Sequence, residues 1–192
     1  MGDRRRALRA VDVAGEEARL LGALELEGSG HQLLIRGDRA LVMATISPAR
    51  AGQDRPDAKT LPPLPPDPSV RLTEIDLSDP ARMTVRSRLT LEGRLVDSRL
   101  TGGTARVIIT ASPGSIAEER IARARLRTFV PRTTLRSRVS GRTFRRSLVS
   151  CDDVRRPSGF SGLDLLTVMT VDLDRGLFSV DRDAIMAGAQ TV

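Results

Sequence analysis

The sequence predicts an all-β fold assembled from repeated four-stranded antiparallel sheets. The first observation behind this is a stretch that nearly repeats itself. Leu8 to Ser47 reads LRAVDVAGEEARLLGALELEGSGHQLLIRGDRALVMATIS, and Leu72 to Ser112 reads LTEIDLSDPARMTVRSRLTLEGRLVDSRLTGGTARVIITAS. Val11-Asp12-Val13 answers to Ile75-Asp76-Leu77, and Leu24-Glu25-Leu26-Glu27-Gly28 answers to Leu89-Thr90-Leu91-Glu92-Gly93. The Gly37-Asp38 corner answers to Gly102-Gly103, and a third copy opens at Val171-Asp172-Leu173. The second observation is a two-residue period: Leu72, Glu74 and Asp76 fall on one face, Thr73, Ile75 and Leu77 on the other. Repeats of one supersecondary unit imply neighbours that stack to bury what one unit cannot bury alone.

The elements follow in order. Residues 7–26 read as the outer half of one sheet. His31–Arg36 and Arg39–Ile46 form a hairpin across Gly37-Asp38, because a tight primed turn needs positive φ. Residues 70–77 and 83–91 complete that sheet, with Val85, Ser87, Leu89 and Leu91 keeping the alternation. Leu95–Leu100 and Ala105–Thr110 form the next hairpin across Gly102-Gly103, completed by residues 163–173 and 177–187. Gln190-Thr191-Val192 would begin a further strand. Four short antiparallel strands joined by tight turns are the composition of a propeller blade. The expected fold is therefore a β-propeller segment of about two and a half blades, one partial domain over residues 1–192. Closed rings usually carry four to eight blades, so the remaining ones are expected to be missing.

Two insertions interrupt the pattern, each between the second and third strands of a blade. Residues 47–69 are Pro-rich, ending LPPLPPDPS, and read as extended. Residues 112–162 are Arg-rich. Within them Ser115-Ile116-Ala117-Glu118 is a capping box followed by helical spacing, which predicts a short helix near 116–127. Loops alternate between the two ends of an up-and-down blade, so both insertions should leave the same end. Loops on a rigid scaffold are where binding function concentrates.

Composition narrows the chemistry. The 192 residues hold one His, one Cys, four Phe and neither Trp nor Tyr, so the core must rest on Leu, Val, Ile and Ala. Lys59 is the only lysine, and the other basic residues are arginine, giving a net charge of +7. That charge makes acidic partners plausible but speaks to association rather than fold. Arg4-Arg5-Arg6 is followed by a charged, strand-like stretch, so it is not read as a signal core. No apolar run approaches a membrane span.

Candidate sites are few. Cys151-Asp152-Asp153 lacks a His or second Cys at ligand spacing and reads as a turn with a small buried thiol, so no metal and no cofactor is expected. His31 stands alone and reads as a strand-end side chain satisfied by backbone. Asp12, Asp76 and Asp172 recur at one position and read as turn-closing carboxylates rather than a cation ring. Arg132, Arg136, Arg138, Arg142, Arg145 and Arg146 crowd PRTTLRSRVSGRTFRR, which contains no acidic residue. Guanidinium forks hold phosphate and carboxylate, so these six are the candidate anion-binding residues, against the alternative of a solvated charged loop. With only Phe129 and Phe144 nearby, the aromatic platform of a nucleic-acid groove is thin, and no specific nucleic acid is expected.

These residues also carry a resemblance. GSGHQLLIRGDRALVMA, LTEIDLSDPARM, LEGRLVDSRLTGGTARVII, PRTTLRSR and CDDVRRPSGFSGLDLLTVMTVDLDRGL resemble the secreted bacterial β-propeller-domain proteins, distant relatives of WD-type repeats common in actinobacteria. The resemblance runs from about residue 7 to the end. It implies an exported or surface-attached propeller with no established enzymatic activity and no catalytic residues to carry over. The expected function is thus a non-enzymatic interaction module, with a protein or an anionic cell-surface polymer as partner. The rivals are a polyanion binder acting through the arginine insertion, and an enzyme with its site at the propeller mouth.

Overall fold

The computed structural model describes residues 6–47, 68–112, 125, 127 and 129–188. Two four-stranded meanders form its centre. The first runs β3 (Ser29–Arg36), β4 (Arg39–Ile46), β5 (Ser69–Asp76) and β6 (Thr84–Glu92). The second runs β7 (Arg94–Thr101), β8 (Thr104–Ala111), β12 (Leu165–Asp172) and β13 (Val180–Met186). Ahead of both lies the hairpin β1 (Ala7–Asp12) and β2 (Arg19–Glu25). These are two blades and a half, open rather than closed.

The sheets are wider than four strands because the second insertion contributes to both. Its β9 (Arg132–Ser137) and β10 (Thr143–Ser147) form a hairpin that adds to β6, giving the order β10-β9-β6-β5-β4-β3. A two-residue β11 (Val154–Arg155) then pairs parallel with β13, giving β11-β13-β12-β8-β7. The arginine-rich segment is therefore a β-hairpin built onto the neighbouring blade, not a solvated loop. The reason lies in its inward positions: Thr133, Leu135 and Ser137 are buried at alternate places along β9, where the edge of β6 supplies both backbone partners and an apolar face. The helix expected near 116–127 lies outside the described residues except for Arg125 and Arg127, as do residues 48–67 of the Pro-rich insertion and 190–192.

The two blades bury their facing surfaces against each other. Met43, Leu72, Leu89 and Leu91 from the first meet Val107, Ile109, Met169 and Val171 from the second, all essentially inaccessible. A buried leucine contributes roughly 2 kcal/mol, so this interface dominates the folding energy. The opposite face of the first blade is covered as well: Ala40, Val42, Ile75 and Met83 pack with Leu8, Ala10, Leu24 and Leu26 of the β1–β2 hairpin. With both faces covered, β4 and β5 are buried almost without alternation. A single residue, Gly93, carries the chain from one blade to the next, and its N–H donates to the Pro68 carbonyl at 3.0 Å. The β4–β5 and β8–β9 connections leave from this same end of the blades, since Ile46 pairs with Ser69, Ala111 with Leu165, and β6 passes to β7 there.

The other end is closed by turns and a polar seal. Asp12, Asp76 and Asp172 each accept the backbone N–H two residues on, from Ala14 at 3.0 Å, Ser78 at 3.0 Å and Asp174 at 2.9 Å. The recurring carboxylates are thus Asx turns. Between the blades, Arg36 donates to the Gly102 carbonyl at 2.6 Å and to both carboxylate oxygens of Asp174 at 3.1 Å. This pairing holds the Asp174 carboxyl below the usual carboxylate range. Beneath it, the buried Glu74 receives Arg39 at 3.1 Å, the Ser87 hydroxyl at 2.6 Å and the Leu177 N–H at 3.4 Å. A carboxylate in that position is tolerated because donors from both blades converge on it.

Gly93 is the position where the fold leaves least freedom. Its φ is +125°, and an added Cβ would sit 2.6 Å from the Thr110 carbonyl oxygen. Gly102 also has positive φ, +63°, but faces open space. Gly93→Ala is expected to cost about 3 kcal/mol or more, and Gly102→Ala about 1–2 kcal/mol. Urea denaturation of the two variants beside the parent protein measures the difference; equal losses would contradict this packing.

Candidate anion-binding surface

Registers across β5, β6, β9 and β10 decide where the arginines point. On β9, residues 133, 135 and 137 face the second blade, so Arg132 and Arg136 face away from it. Arg136 stands directly opposite Arg88 of β6 on one side and Thr143 of β10 on the other. Arg145 is opposite Thr134 and shares this outward face. One strand further in, Arg71 joins them, donating to the Thr90 hydroxyl at 3.2 Å. The β1–β2 hairpin covers this sheet face over β4 and β5; the part over β6, β9 and β10 carries guanidinium groups.

The charge on this face is poorly compensated. Glu27 pairs with Arg71. Glu92 receives the backbone N–H of Arg132 at 3.0 Å rather than its side chain. Partial burial pushes the Arg88 guanidinium below its ordinary pKa, with Arg138, Arg71 and Arg136 adding repulsion and Glu27 opposing them. Like charges placed directly opposite in a sheet are destabilising, so cross-strand Arg88 and Arg136 form an arrangement that costs stability.

The six arginines expected to act together separate into three groups. Arg132, Arg136 and Arg145 share the outward face, and Arg138 lies beside it, its N–H bonded to the Arg86 carbonyl at 2.9 Å. Arg142 lies over the Phe144 ring, 5.2 Å from its centroid, in a cation–π contact at the hairpin turn. Arg146 sits on the opposite face of β10, opposite Thr133 and turned towards the second blade. Arg71 and Arg88 belong to the outward face but lie far from the insertion in sequence. Only strand register brings them there, and the isolated motif carries no signal for them.

The remaining candidates are structural in geometry. His31 Nε2 lies 3.2 Å from the Glu27 carbonyl oxygen. Cys151, expected to be buried, is exposed on a one-turn 3₁₀ segment, Cys151–Asp153. That turn is closed by the Asp153 N–H bonding the Ser150 carbonyl at 3.1 Å. Its thiol is exposed because the turn crosses between the outer edges of the two sheets, above the core rather than within it. Among the described residues no group of three or more His, Cys, Asp or Glu is placed to hold a metal, and no helix is long and apolar enough to cross a membrane.

Comparison with known proteins agrees with the architecture. The family model described as Beta propeller domain matches residues 3–192. The chain belongs to the beta propeller domain family. No curated protein and no solved structure matches it.

The like-charge pair yields a direct expectation. Arg136→Thr keeps the strand and removes the repulsion with Arg88, so it should raise stability by about 0.2–1 kcal/mol. Thermal or urea unfolding measures this, and a clear loss of stability would show that Arg136 holds a structural contact instead.

Proposed function

We propose that this protein is a non-catalytic binding module, acting at the cell surface, whose partner is an anionic polymer held on the outward face of β6, β9 and β10. The observation that carries the reading is the cross-strand apposition of Arg88 and Arg136, flanked by Arg71, Arg132 and Arg145. A sheet that tolerates like charge in register, partly offset by Glu27, gives up stability, and an anionic ligand offsets the remaining cost when it binds. Arginine suits the task because its planar fork pairs bidentately with phosphate, sulfate and carboxylate groups. The spacing also suits a chain rather than a point ligand: strands lie about 4.8 Å apart, and Arg88 and Arg136 stand in register on adjacent strands, with Arg71 diagonal to Arg88 on the third.

The non-catalytic part of the reading is supported by the roles already taken by its histidine and its recurring aspartates. The single histidine is engaged with a backbone carbonyl, and the recurring aspartates close turns. An enzyme sited at the propeller mouth would need acid–base groups free to act.

Retention on immobilised heparin against rising salt tests the proposal. Four phosphate- or sulfate-type contacts imply an affinity that falls roughly a hundredfold between 50 and 200 mM salt. Replacing Arg71, Arg88, Arg136 and Arg145 with Ser should bring elution to much lower salt, whereas Arg142→Ser should leave it nearly unchanged. Retention unaffected by the fourfold substitution would remove this face as the binding element. Turnover on a hydrolase substrate panel would overturn the non-catalytic reading.

A further inference from the structure

A second cationic feature lies on the other face of the same hairpin, between the outer edges of the two blades. β10 and β13 are near-outermost strands of neighbouring sheets, and residues 148–153 cross from one to the other. Together they line an open cleft of about 730 Å³, bordered by Arg146, Ser147, Ser150 and Arg182 among others. Phe144 meets Phe178 edge to face nearby, with ring centroids 6.3 Å apart. Two residues on from Phe144 comes Arg146, and four on from Phe178 comes Arg182.

Arg182 is the unusual member. It pairs across the sheet with Met169, which is fully buried on the face turned to the first blade, so Arg182 projects into the gap between blades. Its Nε and Nη2 are both buried, and neither has a hydrogen-bond partner among the described residues. These two nitrogens form the side-on edge of the guanidinium, the edge that grips an oxyanion with two parallel bonds. Burial pushes its pKa down, and the nearby Arg146 pushes it further, against a weaker opposing effect of Asp181. Asp181 and Asp183 alternate with Arg182 along β13 and are exposed, and with Asp153 they complete the charged groups lining the cleft. None of them forms an ion pair with Arg182 among the described residues. Unmet buried donors on a cation facing a second cation carry a cost that an anion in the cleft would relieve once Arg182 turns that edge towards it.

We propose that this cleft is a phosphate-binding site, with the Arg182 Nε–Nη2 edge as the bidentate grip, Arg146 as the opposing cation and the Ser147 and Ser150 hydroxyls available as further donors. The site is separate from the outward arginine face and does not depend on it. A bound phosphate would bridge the inserted hairpin to the second blade, tying the two sheets together at their outer rim.

The test is a titration of inorganic phosphate into the ¹⁵N-labelled full chain, at constant ionic strength held with chloride, following the arginine Nε–H resonances. The expected result is a saturable shift of the Arg182 resonance, matched by calorimetry. Arg182→Gln should weaken binding roughly tenfold or more, and Arg182→Lys should also weaken it, because charge without the fork is insufficient. Arg136→Thr combined with Arg145→Thr, which disables the outward face, should leave phosphate binding intact. An Arg182 resonance that does not move at tens of millimolar phosphate would overturn the proposal, and this readout needs no variant to fold. Equal binding by the parent and Arg182→Gln proteins would overturn it too. Competition by a phosphodiester oligomer would identify polymer phosphate as the ligand, and its failure to compete would identify the free anion; either follows from an occupied site.

Discussion

The face-to-face burial of two sheets is the constraint on which everything else in this molecule rests. A four-stranded sheet has an apolar face that it cannot hide alone, and the first blade has two. Leu72 and Leu89 require the second blade, and Val42 and Ile75 require the β1–β2 hairpin. This requirement fixes the order of the layers and forces the chain to pass between blades at Gly93 with almost no slack. It also explains the buried Glu74. Once the apolar faces meet, the turn ends of both blades converge, and a carboxylate there gathers donors from Arg39, Ser87 and Leu177. Gly176 packs directly against it: an added Cβ there would lie 2.7 Å from Glu74 Oε1.

The inserted hairpin extends the same constraint to the outer rim. Val130, Leu135, Leu148 and Val149 join the inter-blade core, so the insertion of the second blade closes the edge of the first. Two consequences follow from one act of pairing. An open edge at β6, a hazard for aggregation, is displaced outwards to a strand in which every residue is exposed and two are arginines. The same pairing sets arginines on both faces of the extension, one row towards solvent and one towards the second blade. The surface read as cationic from composition thus becomes two chemically distinct places.

Much of this was legible in the sequence where local chemistry decides the outcome. Gly37-Asp38 and Gly102-Gly103 mark their hairpins because few other residues accept positive φ, and the strand limits on either side follow from the turns. The aspartate after each outer strand announces an Asx turn for the same local reason. Strand partnership over long range is another matter. Nothing in RTTLRS says that its partner is β6, some forty residues earlier; its alternation of Thr, Leu and Ser with Arg is compatible with any half-covered edge. The density of arginine obscured that alternation and favoured a loop. Arg71, Arg88 and Arg182 stayed invisible as site residues because each becomes notable only through its register: Arg88 against Arg136, and Arg182 against the buried Met169.

The central claim is that the arginine-rich insertion is a structural part of the first blade. Native-state amide hydrogen exchange tests it most directly, because β9 lies between β6 and β10 and each of its amides bonds to one neighbour or the other. The amides of residues 133–136 should be protected to a degree comparable with those of Leu89 and Leu91 on β6. Exchange of that stretch at the rate of an unstructured chain, while β6 remains protected, would contradict the account.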